Sequence, residues 1–492
     1  MPAYILFGWN NAVAGPLLDL PSWVQTFPRI DTANTTGAQS ENNARVQGTV
    51  VAMYTLGAFF GSLSCIWIGD KLGRKRTIQL GAAIEVVGAL LQASSFSLAQ
   101  LIVGRLVTGF GFGALTVKIL QQNATAPNWQ SECASASHRG AAVLLESLFI
   151  SAGLALSAWV NLGMSFTNGS VSWRFPLAMS GFWGLIVVAV VPLLPESPRW
   201  LLKRGRTAEA IEVMSALEGV AEDDPVVRAE LAEMAQSLQI AGQSRFLDVF
   251  KNGELRLFNR LCLACAGQMF QQQTGINALA FYVTTIFQTY LGLNGVLARI
   301  LGASVFTFQT ICSPIGVLTV DKLGRRKLMM IAAFGMGTCM AVVAGTSSQR
   351  NSTAAVAVAG AFIFLFSLFF PVGFLGLTFL YASEISPLSV RVPITSMSTG
   401  TAWLFNFLVA EVTPVGFATL GWRYYIVWAC INFFLILPSV YFFFPETNGR
   451  HLEEVDQIFR DSHNIFQPVK EARRLPSHGE PQDSLSLDHE KA

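Results

Sequence analysis

The chain has 492 residues, of which 52% are hydrophobic and 13% charged, and its mean hydropathy is +0.46. Soluble domains carry about 25% charged residues, so this composition excludes an ordinary soluble domain and indicates a membrane protein. A formal net charge of +2 argues against nucleic-acid and strongly acidic partners. The five histidines do not cluster, and we expect neither a metal site nor a cofactor.

About twelve apolar runs, each long enough to cross a bilayer, follow one another along the chain. Their approximate limits are 2–18, 47–69, 79–97, 101–120, 141–163, 175–194, 261–291, 298–320, 328–345, 355–381, 392–413 and 424–444. The sequence therefore predicts an all-α membrane protein whose transmembrane helices form two six-helix halves, 1–194 and 258–445. Residues 195–257 are charged and helix-forming, which indicates a cytoplasmic helical linker. Residues 446–492 are polar, and we expect a cytoplasmic tail that is mostly disordered.

Basic residues in short loops predict the orientation of the chain. They are Lys71, Arg74, Lys75 and Arg76 after the second run, and Lys322, Arg325, Arg326 and Lys327 after the eighth. Both loops and both termini are therefore expected in the cytoplasm, most simply at the plasma membrane. The N-x-[ST] motifs at Asn34, Asn168 and Asn351 then fall in outer loops, where N-glycosylation is expected.

Three motifs recur at nearly one offset, about 250 residues apart. Asp70-Lys-Leu-Gly-Arg returns at Asp321, Ser131-Glu132 with Arg139 returns as Ser383-Glu384 with Arg391, and Pro195-Glu196 returns at Pro445-Glu446. Such a repeat indicates two homologous halves. Transporters built in this way bind their solute near the midplane and rock one half on the other.

The repeated charges predict a mechanical role on the cytoplasmic side. Asp70 and Asp321 precede spans, where a carboxylate accepts hydrogen bonds from free helix N–H groups. Arg74 and Arg325 have candidate partners in Glu132 and Glu384, or in Glu196 and Glu446. These pairs would latch the two halves together and break when the inner face opens. The alternative is that the basic residues only fix topology.

The seventh run contains the costliest polar stretch, Gln271-Gln272-Gln273-Thr274-Gly275-Ile276-Asn277, followed by Phe281 and Tyr282. Carboxamides in hydrocarbon are unfavourable unless they face a polar cavity. They both donate and accept hydrogen bonds, so they recognise hydroxyl groups without carrying charge. The stretch predicts one wall of a site for a polyhydroxylated solute. The alternative is that these side chains only bond between helices.

At these residues the chain resembles the sugar porter family of the major facilitator superfamily, in its fungal form. The resemblance covers residues 1 to about 460 and rests on Asp70-x-x-Gly-Arg-Lys, Gly104-Arg105, Glu132 to Arg139-Gly140, Pro195-Glu-Ser-Pro-Arg199, Gln271 to Tyr282, Asp321-x-x-Gly-Arg-Arg, Glu384 to Arg391, and Pro445-Glu-Thr-Asn-Gly449. It implies a transporter rather than an enzyme, acting as a monomer on a monosaccharide or related polyol. A non-transporting sugar sensor and a metabolite exporter on the same fold are alternatives.

The resemblance also implies which side chains bind the solute. They are Gln271, Gln272, Asn277, Phe281, Tyr282, Gln309, Trp403 and Asn406. Three positions depart from the family: Ser147 stands where Gln is usual, Phe379 where Trp is usual, and Ala402 where Asn is usual. A sugar site is expected, but its preference among sugars does not follow.

Transport mode depends on a buried cation, Arg105, inside the fourth span. In the family's proton-coupled members the matching Arg faces an Asp in the first span, but here that position is Asn10, which does not titrate. The resemblance therefore implies facilitative uniport. The alternative is a proton symporter in which Glu146, beside Ser147, takes up the proton.

Two features suggest an imperfect gene model. The chain from Arg105 to Glu132 is several residues longer than the family usually has, with 117–123 as the surplus, and it starts at the first span. A real insertion is the alternative.

Overall fold

The computed structural model describes residues 1–32, 34–124, 139–242, 246–349, 352–387, 389–450 and 452–474, and every regular element within them is helical. Eight of the described helical segments are long and apolar enough to cross a membrane by length and composition. The other predicted spans are shorter, broken or more polar helices at the expected positions. The all-α membrane fold predicted from the sequence is therefore confirmed.

The first six spans come from helices that begin almost at the first residue. In order, the helices are α1 (Pro2–Ala12), α2 (Pro21–Thr26), α3 (Ala38–Leu72), α4 (Arg74–Ala93), α5 (Leu98–Ala124), α6 (Arg139–Met164) and α7 (Val171–Val190), with short 3-10 turns at Gly15–Leu17, Pro28–Ile30 and Val191–Leu193. Helix α2 is a short outer piece, and the other six are spans. Glycines bring α3 and α5 close together, since a Cβ at Gly109 would lie 1.9 Å from the Tyr54 carbonyl oxygen.

Three short helices follow in the predicted linker: α8 (Pro198–Lys203), α9 (Thr207–Glu218) and α10 (Pro225–Gly242). Their apolar faces form a separate small core of Leu201, Ala210, Met214, Val227, Leu231 and Met234. The amphipathic pattern of the linker is explained by these helices, which pack their apolar faces against one another. A 3-10 turn at Phe246–Phe250 leads to the second set of spans.

The last six spans contain more breaks than the first six. Their helices are α11 (Leu257–Gln273), α12 (Ile276–Thr285), α13 (Gly295–Leu323), α14 (Arg325–Ser347), α15 (Thr353–Phe370), α16 (Leu377–Glu384), α17 (Arg391–Leu420), α18 (Tyr424–Cys430) and α19 (Leu437–Phe443), with π-helical turns at Ile286–Tyr290, Pro371–Leu375 and Ile431–Ile436 and a 3-10 turn at Gly421–Arg423. Single π turns inside helices often occur at functional sites.

The seventh span is broken at the polar stretch itself. Helix α11 ends at Gln273, and α12 begins at Ile276 after Gly275, whose φ is +100°. Only glycine adopts this conformation readily, and a Cβ there would also meet the Met340 methyl carbon at 3.0 Å. The break frees backbone groups and turns the carboxamide side chains of both pieces toward the same level of the bundle.

The predicted disorder of the tail is wrong for residues 452–474. This segment forms α20 (Leu452–Arg460) and α21 (Gln467–Arg474), which bury Val455, Ile458, Phe459, Val469 and Ala472. Arg260, at the start of the seventh span, is fully buried and pairs with Asp456 at 2.5 Å, with its guanidinium 4.2 Å from the Phe459 ring centroid. The amphipathic pattern of residues 452–460 indicates a helix that docks, and in the structure α20 covers the buried Arg260.

Candidate solute-binding cavity

A cavity lies between the two sets of spans, near the break in the seventh span. Its free volume is about 70 Å³, which is small beside the roughly 300–1,000 Å³ that is typical of small-molecule sites. Its lining is mainly apolar, with six carboxamides among the walls: Asn11, Gln271, Gln272, Asn277, Gln309 and Asn406. Apolar walls with few polar groups suit a small neutral solute.

Seven residues chosen from the sequence line this cavity together: Gln271, Gln272, Asn277, Gln309, Phe379, Trp403 and Asn406. They come from the seventh, eighth, tenth and eleventh spans. Asn11 from α1, next to the predicted coupling residue Asn10, was not chosen. The first half also contributes Phe7, Ile150 and Leu154, so the cavity is shared by both halves.

The carboxamides of the seventh span form a chain of hydrogen bonds. Asn277 Nδ2 donates to Gln272 Oε1 at 2.6 Å, and Gln272 Nε2 donates to Gln271 Oε1 at 2.9 Å. Gln271 Nε2 then donates to the carbonyls of Phe374 and Leu375 at 2.9 and 3.0 Å, in the π-helical turn of the tenth span. The chain joins the two pieces of the broken seventh span to the tenth. These residues therefore bond between helices and line the cavity at the same time.

Gln309 on α13 is in the opposite situation. Its side chain is fully buried, and neither its amide nitrogen nor its carbonyl oxygen has a hydrogen-bond partner among the described residues. A buried carboxamide without partners is unfavourable by about 1–3 kcal/mol. Bonding between helices, the alternative for this residue, is absent here. Both polar atoms of Gln309 are available to a solute in the cavity.

Aromatic rings close one side of the cavity. Trp403 packs against Phe7, Phe112 and Tyr54, with ring centroids 5.8, 5.7 and 6.3 Å away. Its indole N–H has no partner among the described residues and is buried. Asn406, one turn further along α17, also has an unmatched carbonyl oxygen. An apolar ring beside free donors and acceptors suits the mixed surface of a carbohydrate.

Three residues chosen from the sequence lie elsewhere. Ser147 borders a small separate cleft with Gly376 and Leu380. Phe281 and Tyr282 belong to a compact cluster with Leu18, Val51, Ala52 and Ala410, and the Tyr282 hydroxyl donates to the Ala410 carbonyl at 3.0 Å. In this structure these rings close the bundle beside the cavity and do not line it.

Several contacts join the halves at the end opposite the basic loops, called here the far end. The Thr49 hydroxyl donates to Glu411 Oε1 at 2.8 Å, and the Thr285 hydroxyl donates to Asp19 Oδ2 at 2.9 Å. A Cβ at Gly15 would lie 2.3 Å from the Phe281 carbonyl oxygen, so the backbones touch. The cavity is thus sealed toward the far end by polar and backbone contacts that join the two halves.

The other end, called the basic-loop end, holds a charged network within the second half. Arg325 Nη2 lies 2.9 Å from Glu384 Oε1, and Arg325 Nη1 lies 3.1 Å from Asp321 Oδ1. The Thr447 hydroxyl donates to the same glutamate, to Oε2, at 2.6 Å. The pairing of Arg325 with Glu384 is confirmed. The expected latch between halves is wrong for this pair, because every member belongs to the second half.

The start of α14 shows a second correction. Glu446, not Asp321, accepts from the free helix N–H groups. Its Oε1 lies 2.8 Å from the backbone nitrogen of Arg325, and its Oε2 lies 3.2 Å from the backbone nitrogen of Arg326. Gly324, with φ +84°, makes room for it, since a Cβ there would lie 2.5 Å from Glu446 Oε2. Asp321 is 72% exposed and only flanks Arg325. The carboxylate thus ties the end of the twelfth span to the loop before the ninth.

The first half repeats part of this arrangement. Glu196 Oε1 accepts from the backbone N–H of Lys75 at 3.5 Å, at the start of α4. Arg74 has one buried guanidinium nitrogen without a partner among the described residues. Arg391, in the second half, is buried and donates to the Ser386 carbonyl at 3.2 Å. Other predicted residues of this set lie outside the described part: Glu132 altogether, and the side chains of Asp70, Arg139 and Arg199.

Comparison with known proteins decides the family. A family model described as "Sugar (and other) transporter" matches residues 2–459. The chain belongs to this family. Sugar transporters of this kind are membrane carriers, not enzymes, as the resemblance implied.

Fungal members of the sugar transporter family are similar over nearly the whole chain. The MFS-type transporter oryC of Aspergillus oryzae is 38% identical over 469 residues, covering 93% of this chain and 83% of the relative. The sugar transporter STL1 of Saccharomyces cerevisiae is 34% identical over 486 residues, covering 97% and 83%. Among solved structures, the proton:xylose symporter XylE of E. coli, bound to 6-bromo-6-deoxy-D-glucose, superposes with a TM-score of 0.76 at 22% identity, covering 93% of this chain and 97% of XylE. The fold is therefore that of the major facilitator superfamily.

The coupling residues expected in a sugar transporter are buried but not arranged as the sequence suggested. Arg105 donates to the Val51 carbonyl at 3.1 Å and lies over the Tyr54 ring, 5.5 Å from its centroid. Glu146 is buried on α6 and is not among the residues that line the cavity. Asn10 donates to Glu85 Oε1 at 3.5 Å.

Glu85 is the residue that reasoning from the sequence missed. It is fully buried in the third span, and its Oε2 has no hydrogen-bond partner among the described residues. The signal was present in the sequence: Glu85 stands alone in an otherwise uncharged run, 79–97. A carboxylate inside a span marks a functional position by default.

Of the predicted glycosylation sites, Asn34 and Asn168 are exposed in loops at the far end. Asn351 lies outside the described residues.

Proposed function

We propose that this chain moves a monosaccharide or related polyol across a membrane by alternating access, through the cavity between its halves. The observation that carries the proposal is Gln309, a fully buried carboxamide in the cavity wall with both polar atoms unmatched. An unmatched buried group needs an explanation, and for one in a cavity wall a bound solute would supply it. The family and the printed name of STL1 support a sugar as that ligand.

Each wall of the cavity has a distinct role in this function. Gln309, Asn406 and the indole N–H of Trp403 offer free donors and acceptors to hydroxyl groups. Asn277 and Gln272 are already bonded and hold the broken seventh span in shape. Phe379 and Trp403 supply apolar faces for the carbon skeleton.

Alternating access requires one end to open when the other closes. The structure is closed at the far end by the Thr49–Glu411 and Asp19–Thr285 contacts, which join the halves and would have to break for the far end to open. The network of Arg325 holds the second half rigid, so that it moves as one body. We place the basic-loop end in the cytoplasm, and we propose a monomer in the plasma membrane with Asn34 and Asn168 outside.

The transport mode was expected to be facilitative uniport, because Asn10 replaces the titratable residue of the first span. That expectation assumed that no other carboxyl group stands beside Asn10. Glu85 stands there, at 3.5 Å, so the substitution does not by itself remove a proton site. Glu146, the alternative site, is buried on α6 and does not line the cavity.

Uptake tests the proposed function directly. We would express the chain in a yeast strain that lacks its hexose transporters and measure uptake of labelled glucose, xylose, galactose, sorbitol and glycerol. We expect saturable uptake of at least one of them, lost in a Gln309→Ala and Asn406→Ala double variant that still reaches the membrane. Absence of uptake for every compound, with the wild-type chain at the cell surface, would overturn the proposal.

A further inference from the structure

Glu85 occupies a site that is built for its carboxyl group. The side chain is fully buried on α4, and Asn10 Nδ2 approaches Oε1 at 3.5 Å. A Cβ at Gly184, on α7, would lie 2.2 Å from Glu85 Oε2 and 2.8 Å from Val86 Cγ2. The absence of a side chain at Gly184 is therefore what gives Oε2 its space.

Three of the helices around Glu85 present neutral groups to it. Helix α1 presents Asn10, α3 presents the hydroxyl of Tyr54, and α7 presents Ser180 and Gly184. The charged group of the neighbourhood is Arg105 on α5. Its Nη2 donates to the Val51 carbonyl and the guanidinium lies over the Tyr54 ring, while its buried Nε has no partner among the described residues.

The balance of partners favours a carboxyl group that takes up and releases a proton. An ionised carboxylate accepts several hydrogen bonds and is very unfavourable in an apolar interior without them or a cation. Here it has one long bond from an amide and one unmatched oxygen. The protonated acid is neutral and needs fewer hydrogen bonds and no neighbouring cation. A purely structural partner for Asn10 would be served as well by glutamine, which carries no charge in either state.

Two short routes connect this site with the solute cavity. Along α1, Asn10 contacts Glu85 and the next residue, Asn11, lines the cavity. Across the bundle, the Tyr54 ring packs edge-on against Trp403, another cavity wall, with centroids 6.3 Å apart. A solute that shifts α1 or Trp403 therefore changes the surroundings of Glu85.

We propose that Glu85 is the proton-carrying group of this chain, so that solute and proton cross together. In one state of the carrier, the carboxylate binds a proton from the solvent on one side and becomes a neutral acid. After the halves rock, the acid releases that proton to the other side and the carboxylate returns. The proposal rests on the proposed function and replaces uniport with symport, at Glu85 rather than at Glu146.

The test measures protons and solute separately. The purified chain is placed in liposomes containing a pH-sensitive dye, and labelled glucose, xylose and glycerol are added in turn. The wild type should move protons together with at least one solute and concentrate that solute when a pH gradient is imposed. Glu85→Gln should abolish both the proton movement and the accumulation. Solute exchange between two equal pools, which needs no net proton movement, should stay within about threefold of wild type, a change of less than about 1 kcal/mol.

Two further variants keep the result interpretable. Glu85→Asp retains a carboxyl group and should restore proton movement at least in part. If the role of Glu85 were merely structural, Glu85→Gln, which keeps the shape of the side chain, would be the better tolerated variant. Glu146→Gln should keep proton movement. Solute uptake without proton movement in the wild type, or proton movement that survives Glu85→Gln, would overturn the role of Glu85 while leaving the proposed function in place. Absence of both uptake and exchange for all three solutes would overturn the proposed function and the inference with it.

Discussion

Gln309 and Gln268 provide a matched pair for testing what an unmatched carboxamide does. Both are fully buried, and in both neither polar side-chain atom has a partner among the described residues. Gln309 lines the cavity on α13, whereas Gln268, on α11, does not. Replacing each by methionine keeps an unbranched side chain of similar length and removes the polar atoms. The two variants differ only in their relation to the solute.

The expected effects follow from the cost of an unmatched group. Removing a buried polar group without partners relieves about 1–3 kcal/mol, so Gln309→Met and Gln268→Met should both raise the stability of the empty carrier. Solute binding should respond differently. One or two neutral hydrogen bonds from Gln309, at about 0.5–1.5 kcal/mol each, correspond to a loss of roughly 2- to 150-fold in affinity.

Two assays read these effects. Thermal unfolding of the purified chain in detergent gives stability, and the solute concentration at half-maximal uptake gives apparent affinity. Gln309→Met should unfold at a higher temperature and bind more weakly, while Gln268→Met should unfold at a higher temperature and bind as before. A Gln309→Met chain that is less stable than wild type, or that keeps its affinity, would refute the assignment of Gln309 to the solute. Equal loss of affinity in both variants would do the same.

Three other contacts give further predictions. Asn277→Ala leaves the Gln272 side-chain oxygen without its donor, at a cost of about 1–3 kcal/mol, so we expect transport to fall by about 5- to 150-fold. The ionised side chain of Asn277→Asp cannot donate either, and uptake by this variant should fall similarly. Thr49→Val removes the bond to Glu411 at the far end. A cysteine introduced into the cluster around Phe281 and Tyr282 should then react faster with an impermeant maleimide, and an unchanged rate would count against this contact as part of the seal. Phe459→Ala uncovers the buried arginine beneath α20 and should lower stability by about 3–5 kcal/mol, measured by thermal unfolding, whereas an unchanged midpoint would show that the docked tail contributes nothing.

The membrane fold followed from hydropathy, because a span must satisfy its own backbone and this restricts it to a helix. The cavity followed from carboxamides in hydrocarbon, which are tolerated only where they face a cavity or one another. Gln271 and Asn277 could thus be placed at the site from the sequence. Whether they bond to each other or remain free for a solute depends on side-chain geometry that residue types do not determine.

Charged residues were harder to assign, for two physical reasons. The repeat showed that Arg325 needs acidic partners, but Glu384 and Glu446 lie within the same half, and offset alone does not say which half a partner comes from. Glu85 has no repeated counterpart and no neighbouring charge in sequence. Its partner Asn10 is 75 residues away and meets it only when α1 packs against α4.

Solute exchange by the purified chain tests the central claim most directly. Liposomes holding the wild-type chain and an unlabelled sugar inside are given the labelled sugar outside, for glucose, xylose and glycerol in turn. We expect rapid exchange for at least one of them, and a large reduction when Gln309 and Asn406 are both replaced by alanine in a chain that still folds. Absence of exchange for all three, or exchange that is indifferent to both cavity residues, would contradict a solute site in this cavity.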